Sequence, residues 1–218
     1  MNTNQSKREL LRQNRIQQKR HKLTTFLLIS LAAVILVLLL IFLPNILLNL
    51  SKPGFPLGDP NAPVTVYEFS SYTCSHCYDF NASPAKDFIA KYVDTGLVYF
   101  NYVNLPSDSE SSYLSAEASY CAADQDKFYE FKDQIFPYSV SGMTFTEADL
   151  VNFASQAGLD TSAFQVCMQS DKFVTAYEKE IDFASASGVT ATPTFLVNGK
   201  DLVTTSELDA TIEKYLNN

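Results

Sequence analysis

Val64-Thr-Val-Tyr-Glu-Phe69 is an apolar run rich in β-branched residues, and it leads into Cys74-Ser75-His76-Cys77, two cysteines three positions apart. The run predicts a strand, and the residues after the motif predict a helix over 78–92 that Pro84 kinks or shortens. Cys74 should therefore lie at a strand-to-helix turn, where unpaired N–H groups and the positive end of the helix stabilise a thiolate. His76 also favours a thiolate, so the motif is typical of disulfide exchange.

Two other interpretations of the cysteine pair remain open. A Cys-x-x-Cys pair can be half of a zinc site, but its second half would have to come from Cys121 and Cys167, which are 46 positions apart. The chain has only two histidines, His21 and His76. The pair can also be two ordinary core thiols. A redox pair fits the spacing best, and we expect neither a metal nor a cofactor.

The first 50 residues predict a membrane anchor. Residues 1–22 carry seven basic side chains and one acidic side chain. Phe26 to Leu43 is then an uncharged run of 18 residues, about 27 Å long as a helix. These features predict a cytoplasmic segment over 1–23, a transmembrane signal-anchor over 24–50 and an extracytoplasmic remainder. A cleaved signal peptide is the competing interpretation, but the run exceeds a signal core of about 7–15 residues and no A-x-A-like site follows it.

Charge divides at the anchor. The residues after position 50 include nine basic and 23 acidic residues, a net formal charge of −14. Such a domain is not expected to bind nucleic acid or to adhere to anionic lipid. All four cysteines lie in this part of the chain, and disulfides persist in an extracytoplasmic compartment.

The remaining chain is long enough for one domain. Residues 51–63 contain four prolines and two glycines and predict a short stiff linker, followed by a single α/β domain over 64–218. A second strand is predicted over Gly96–Leu105, so the order strand, helix, strand predicts a right-handed parallel crossover. Thr194–Val197 predicts a third strand, which the turn signal Asn198-Gly199 joins to a return strand.

Helical signals fill the region from about 107 to 187, between the two groups of strands. Within it, Thr144-Phe-Thr-Glu147 matches a capping box, and Asp160 can cap a further helix. Ser206-x-x-Asp209 can cap the last helix of the chain. The sequence therefore predicts a β-α-β unit and a β-β-α unit that flank an all-helical insert.

Two more features accompany the cysteine motif. Thr192-Pro193 stands just before the third strand, and an X-Pro bond at such a position can be cis. Glu68 lies six residues before Cys74 in an otherwise apolar strand. Its carboxylate could be a proton carrier beside the thiols, with a raised pKa, or an edge-strand residue that faces water.

With these residues in view, the chain resembles the DsbA-like branch of the thioredoxin superfamily across residues 59–218. The resemblance rests on segments before the first strand, around the two cysteines and around the third strand: Gly58–Pro63, Glu68–Ser70, Cys74–Cys77, Gly188–Phe195 and Asn198-Gly199. It implies a thioredoxin fold with an all-helical insert.

The resemblance also implies roles for individual residues. Cys74 would be the exposed nucleophile, Cys77 the buried resolving thiol and Glu68 the buried acid beneath it. The Thr192-Pro193 bond would be cis and pack against the disulfide, while the backbone of Thr192 would pair with substrate. Ser75 stands where this branch usually has proline, so the redox potential is not implied.

Cys121 and Cys167 each fall on the apolar face of a predicted helix. Some members of the branch carry a second disulfide in the helical insert, and these two positions look like it. The alternative is two buried free thiols, which are common core residues.

We therefore expect a membrane-anchored, extracytoplasmic thiol-disulfide oxidoreductase that donates a Cys74–Cys77 disulfide to secreted or membrane proteins. A quinone-linked partner that reoxidises it, either DsbB-like or vitamin K epoxide reductase-like, is implied by the resemblance alone. A disulfide reductase or isomerase of the same fold remains an alternative, as does a metal carrier that uses Cys74, His76 and Cys77.

Overall fold

The computed structural model describes residues 53–107, 109–139, 144–170 and 172–217. The predicted cytoplasmic segment and transmembrane anchor lie outside these residues. Within the described ranges, no helix has the length and apolar character needed to cross a membrane.

A five-stranded mixed sheet forms the centre of the domain. Its strands, in chain order, are β1 Phe55–Leu57, β2 Val64–Ser70, β3 Val98–Asn104, β4 Thr194–Val197 and β5 Asp201–Val203. Their order across the sheet is β1-β3-β2-β4-β5. β2 and β3 are parallel, as predicted, while the other neighbouring pairs are antiparallel. β2 is thus the central strand, and the cysteine motif follows directly from its carboxyl end.

β1 lies in the segment that the sequence predicts to be a linker. Phe55 is buried, its ring stacks on Phe128 with 3.7 Å between centroids, and its carbonyl accepts a hydrogen bond of 2.8 Å from the Tyr129 hydroxyl. This aromatic contact fixes three residues against the edge of β3. Pro56, which lacks an N–H group, is tolerated because β1 is an edge strand. The linker prediction is therefore wrong for Phe55–Leu57.

Eight α-helices occur in the described part of the chain. They are α1 Ser75–Ala82, α2 Pro84–Phe88, α3 Glu110–Ala123, α4 Phe128–Ile135, α5 Glu147–Gln156, α6 Thr161–Met168, α7 Val174–Ala186 and α8 Thr205–Leu216. The predicted helix over 78–92 begins earlier, at Ser75, and Pro84 divides it. After α2 the chain continues through a wider π-helical turn, Ile89–Val93. Helices α3 to α7 form the predicted insert between β3 and β4.

Two of the predicted helix caps are displaced by two residues. α5 is capped by Thr146 and Asp149, whose side chains satisfy each other's backbone N–H groups, and not by Thr144 and Glu147. α8 is capped in the same way by Thr204 and Glu207. Both starts contain overlapping capping patterns, so the sequence rule alone does not select between them. Asp160 caps α6 as predicted, accepting hydrogen bonds from two backbone N–H groups.

Successive residues of β2 face opposite sides of the sheet, and each side has its own apolar cluster. Tyr67 and Phe69 pack against α7, where the rings of Tyr67 and Phe183 are 5.1 Å apart. Val64 and Val66 face the larger cluster, which includes side chains of α1, α2, α8 and the insert. Glu68 and Ser70 share this second face by the same alternation. The sheet therefore directs a carboxylate and a hydroxyl into the main core, directly beneath the cysteine motif.

Candidate active site

Cys74 is the N-cap residue of α1 and is half-buried, whereas Cys77, in the first turn of the helix, is fully buried. Both are free thiols. The extended backbone of Cys74 places its side chain beside the first N–H groups of the helix, which have no partner inside the helix. The predicted strand-to-helix turn is thus present, and it divides the pair into one accessible and one inaccessible sulfur.

Several donors favour the thiolate form of Cys74. A hydrogen bond from the Cys77 thiol is the largest cause that lowers the pKa of Cys74, to about 5. The Thr192 side chain and the backbone N–H groups of Cys77 and His76 act in the same direction, while partial burial opposes them. Cys74 is therefore ionised at neutral pH.

Cys77 has the opposite character. Burial raises the pKa of its thiol far above the ordinary value, and the neighbouring Cys74 raises it further. The Ser71 N–H group lies 3.5 Å from the Cys77 sulfur, and Ser70 also favours its ionised form. Cys77 thus holds a proton that must be removed before its sulfur can act as a nucleophile.

The loop before β4 closes over the accessible sulfur. The Thr192–Pro193 peptide bond is cis, as the resemblance implies. The Cys74 sulfur lies 3.4 Å from the backbone oxygen of Thr192, to which Cys74 can donate only in its protonated thiol form. The structure therefore brings together residues that are 118 positions apart in the chain.

His76 points into solvent. Its side chain is 80% exposed, and its Nδ1 lies 3.5 Å from a carboxylate oxygen of Asp79. A groove of about 470 Å³ begins here and runs along α1 to the start of α8. Its walls comprise His76, Asp79, Phe80, Pro84, Thr192, Pro193, Thr204, Thr205 and Ser206. An extended chain that reaches Cys74 could follow this groove.

Glu68 is fully buried on the central strand, so the alternative of an edge-strand residue facing water is wrong. Asn81 Nδ2 donates to Glu68 Oε1 at 2.9 Å and to the Cys77 carbonyl at 2.9 Å, which links the carboxyl group to α1. Burial raises the pKa of Glu68, while the Lys132 ammonium, Asn81 and Ser70 lower it. Strong burial with opposing polar partners is the kind of perturbation that clusters at functional sites.

Asn81, Lys132 and Ser70 were not among the predicted site residues. Lys132 nevertheless carried a signal in the sequence, because it lies four residues after Phe128 and three before Ile135, on the apolar face of α4. A lysine in that position is either buried or extends past the core to solvent. In this structure it is 3% exposed.

The second pair of cysteines is joined. Cys121 of α3 and Cys167 of α6 form a disulfide, so the alternative of two free thiols is not what the structure shows. This disulfide connects two helices of the insert. Across the described residues, no group of three histidine, cysteine or acidic side chains gathers in a way that could hold a metal ion.

The comparisons with known proteins agree with this geometry. The family model described as Thioredoxin matches residues 51–216. Disulfide bond formation protein D of Bacillus subtilis is 30% identical over 172 residues, covering 73% of this chain and 76% of that protein. The crystal structure of oxidised BdbD from B. subtilis has a TM-score of 0.70 at 28% identity, covering 77% of this chain and 94% of that one.

Two other matches are narrower in what they show. Chlamydia trachomatis DsbA has a TM-score of 0.66 at 23% identity and covers 74% of this chain and 91% of that one, which shows the shared fold. A Na(+)/H(+) antiporter, NhaA 3 of Salinispora tropica, is 29% identical over 66% of this chain. That match spans only 21% of the antiporter, so the similarity is to a part of it.

A family match over three quarters of the chain, together with an exposed and a buried cysteine at the start of α1, defines the class of protein. This chain belongs to the thioredoxin family. Within that family it is a DsbA-like thiol-disulfide oxidoreductase.

Proposed function

We propose that this protein is a membrane-anchored, extracytoplasmic oxidase that donates its Cys74–Cys77 disulfide to secreted or membrane proteins. The observation that carries the proposal is the asymmetry of the pair, in which the accessible Cys74 has a pKa of about 5 and the buried Cys77 has a raised one. A stable Cys74 thiolate favours the reduced protein, which makes the disulfide readier to be transferred.

The size of this preference follows from the ionisation of Cys74. At pH 7 a thiol with a pKa of about 5 is ionised in a ratio of about 100 to 1. Relative to an unperturbed thiol, this ionisation shifts the equilibrium constant toward the reduced form by a factor of about 100. For a two-electron couple, that factor raises the redox potential by about 60 mV.

The reaction has two exchange steps. A substrate thiolate attacks the Cys74 sulfur, the Cys74–Cys77 bond breaks, and Cys77 leaves with the bonding electrons and takes up a proton. A second substrate thiolate then attacks the substrate sulfur of the mixed disulfide, and Cys74 leaves as the stable thiolate. The substrate loses two electrons and gains a disulfide, while the protein is reduced.

Compartment and topology are supported by sequence and by similarity. Disulfide bond formation protein D, which this chain resembles along most of its length, is named for disulfide formation, and disulfides persist outside the cytoplasm. The basic flank over 1–23 and the uncharged run within 24–50 favour an uncleaved anchor with a cytoplasmic N-terminus. Reoxidation then requires an electron acceptor in the membrane, a DsbB-like or vitamin K epoxide reductase-like partner linked to quinone.

The test is stoichiometric oxidation of a reduced, unfolded protein whose native structure contains disulfides. The oxidised protein, mixed with that substrate without other oxidants, should lose its Cys74–Cys77 disulfide as substrate thiols disappear. Cys74→Ser is the matched control and should transfer nothing. If the wild-type protein keeps its disulfide in the presence of excess substrate thiols, the oxidase proposal is wrong.

A further inference from the structure

Three buried serines lie on one face of α3, and one of them differs from the other two in its partners. Ser115 and Ser119 each donate a hydrogen bond to the carbonyl group three positions earlier in the helix, at 2.9 and 2.7 Å. This is the common bond of a serine inside a helix. The Ser112 hydroxyl instead has three partners outside α3, which are Ser71, Thr73 and Ser107.

The directions of these hydrogen bonds follow from the capacity of a hydroxyl group, which can donate once and accept twice. Thr73 Oγ1 donates to Ser112 Oγ at 3.1 Å, and the Ser107 N–H donates to it at 2.9 Å. Both acceptor positions of Ser112 are then filled, so its hydroxyl donates to Ser71 Oγ, 3.2 Å away. Because Thr73 has already donated, the Ser71 hydroxyl donates to Thr73 Oγ1 at 3.1 Å. Ser71, Thr73 and Ser112 thus form a closed hydroxyl ring.

The hydroxyl ring fixes the loop that leads to the cysteines. The parallel ladder of β2 and β3 ends at Ser70 and Asn104, so Ser71 is the first residue that the sheet does not hold. Its side chain is attached to α3, 41 positions further along the chain. Hydrogen bonds that follow one another in a closed chain polarise and strengthen each other. The helical insert therefore determines where the backbone of Ser71 lies.

That backbone contacts both cysteines of the motif. The carbonyl of Ser71 accepts a hydrogen bond of 3.2 Å from the Cys74 N–H, and the Ser71 N–H lies 3.5 Å from the Cys77 sulfur. Burial raises the pKa of Cys77, while the Ser70 side chain and the Ser71 N–H oppose this shift. The Ser71 N–H is therefore a fixed donor beside a sulfur that is otherwise hard to ionise.

We propose that Ser112 is a positioning residue for disulfide exchange: through the hydroxyl ring it holds the Ser71 N–H against the Cys77 sulfur, where this group stabilises the negative charge that develops in the transition state. The inference rests on the exchange chemistry of the cysteine pair. It is independent of the oxidase proposal, because the charge develops on the same sulfur in either direction of electron flow.

The relevant step can be followed with glutathione in both directions. In the opening direction, a glutathione thiolate attacks the Cys74 sulfur, the Cys74–Cys77 bond breaks, and Cys77 leaves with the bonding electrons and takes up a proton. In the closing direction, the Cys77 thiol loses its proton, its sulfur attacks Cys74, and glutathione leaves as a thiolate. The Cys77 sulfur is partly anionic in the shared transition state and uncharged in both end states. A donor to this sulfur therefore changes both rates by one factor and leaves their ratio unchanged.

The test is to measure the opening and closing rates in Ser112→Ala at pH 7 by rapid mixing with glutathione. Without the Ser112 hydroxyl, the Ser71 N–H loses its fixed direction toward the Cys77 sulfur. Both rates should then fall about tenfold, because part of a hydrogen bond to a charged group is lost. The ratio of the two rates, which is the equilibrium constant for this step, should stay at the wild-type value.

A second variant and a matched control make the test specific. Ser71→Ala keeps the backbone N–H but detaches it from the hydroxyl ring, so it should slow both rates to the same extent and carries the test if Ser112→Ala does not fold. The double variant should be no slower than either single one, because both changes remove the same interaction. Ser115→Ala removes a buried hydroxyl from the same face of α3, where it bonds within the helix, and should keep the wild-type rates.

Two results would overturn the inference. The first is wild-type rates in folded Ser112→Ala or Ser71→Ala, even if denaturant unfolding shows a loss of stability, since the ring would then have a structural role alone. The second is a change in only one of the two rates, because the equilibrium constant would shift and the ring would act on an end state of the reaction.

Discussion

At the scale of single residues, the reactivity of Cys74 depends on donors that approach it from two sides. α1 supplies the thiol of Cys77 and backbone N–H groups, and the loop before β4 supplies the side chain of Thr192. The helix contribution follows from the backbone and is hard to remove by mutation. The Thr192 contribution comes from one side chain and can be tested alone.

Replacement of Thr192 by valine should raise the pKa of Cys74 above about 5, because the hydroxyl donor is lost while the branched shape is kept. The expected increase is about one unit, which lowers the redox potential by about 30 mV. Thiolate absorbance as a function of pH measures the first quantity, and equilibration with glutathione measures the second. Thr190→Val, an exposed change in the same loop, is the control. Equal pKa values in the two variants would show that the Thr192 hydroxyl has no part in stabilising the thiolate.

The sequence predicted the residues of this site unequally, for physical reasons. Cys74, Cys77 and Pro193 belong to local motifs whose spacing can be recognised directly. The position of Glu68 depends on which strands flank β2, and that order is set by the whole sheet. Lys132 lies on the apolar face of its helix. A search for the spacing of apolar residues does not detect it, because lysine is not counted as apolar.

At the scale of elements, α7 is fixed to the end of β3 by a buried carboxyl group. Glu180 accepts a hydrogen bond of 2.8 Å from the backbone N–H of Asn104, and it also interacts with Tyr120 and with the backbone of Gly54. Burial raises the pKa of Glu180 to about 8. The carboxyl group is therefore mostly protonated at neutral pH in the folded protein and ionised in the unfolded chain.

Glu180→Gln should make the folded protein less sensitive to pH. The pKa of Glu180 is about 4.5 in the unfolded chain and about 8 in the folded protein. The contribution of this carboxyl group to stability is therefore fully present below pH 4.5, and it is lost as the pH rises to about 8. The neutral amide does not titrate. At pH 8 the free energy of unfolding of the variant should therefore be greater than that of the wild type by roughly 1–3 kcal/mol. Denaturant unfolding between pH 5 and pH 8, with the exposed change Glu178→Gln as control, measures the difference. Parallel stability curves for the wild type and Glu180→Gln would contradict the assignment of a protonated Glu180.

Element boundaries show where local rules reach their limit. The start of α5 offers two overlapping capping patterns, and the structure uses the one that begins at Thr146. In this arrangement Phe145 is buried, and its backbone N–H donates a hydrogen bond of 2.6 Å to Ser111 Oγ. That choice depends on α3, which lies far away in the sequence. β1 was missed for a related reason, since its strand character comes from the aromatic contacts of Phe55 with the insert and not from its own composition.

At the scale of the whole molecule, the sequence divides into a basic N-terminal flank, an uncharged run and an acidic domain. The order of strands and helices after residue 63 was sufficient to predict a β-α-β unit and a β-β-α unit that flank a helical insert, because parallel crossovers and hairpins leave few alternatives. The thioredoxin fold itself was implied by the resemblance to the DsbA-like branch. The disulfide between Cys121 and Cys167 could not be deduced from spacing, since it depends on how α3 and α6 pack.

The proposed topology predicts a simple protection pattern. In protoplasts, added protease should digest the domain beyond about residue 51, while a tag at the N-terminus remains protected until the membrane is dissolved. The cytoplasmic placement follows from the seven basic residues within positions 1–22. A mature protein that begins after residue 45 and occurs in the soluble fraction would contradict the anchor.

The central claim is that Cys74–Cys77 is an oxidising disulfide, and its equilibrium with glutathione tests this most directly. Purified protein is equilibrated with glutathione buffers of graded ratio at pH 7, and the oxidised fraction is measured after the thiols are trapped. With Cys74 ionised and Cys77 buried, we predict a potential above about −190 mV, nearer to that of DsbA than to that of thioredoxin. A potential near about −270 mV, as in thioredoxin, would contradict the account and favour a reductase.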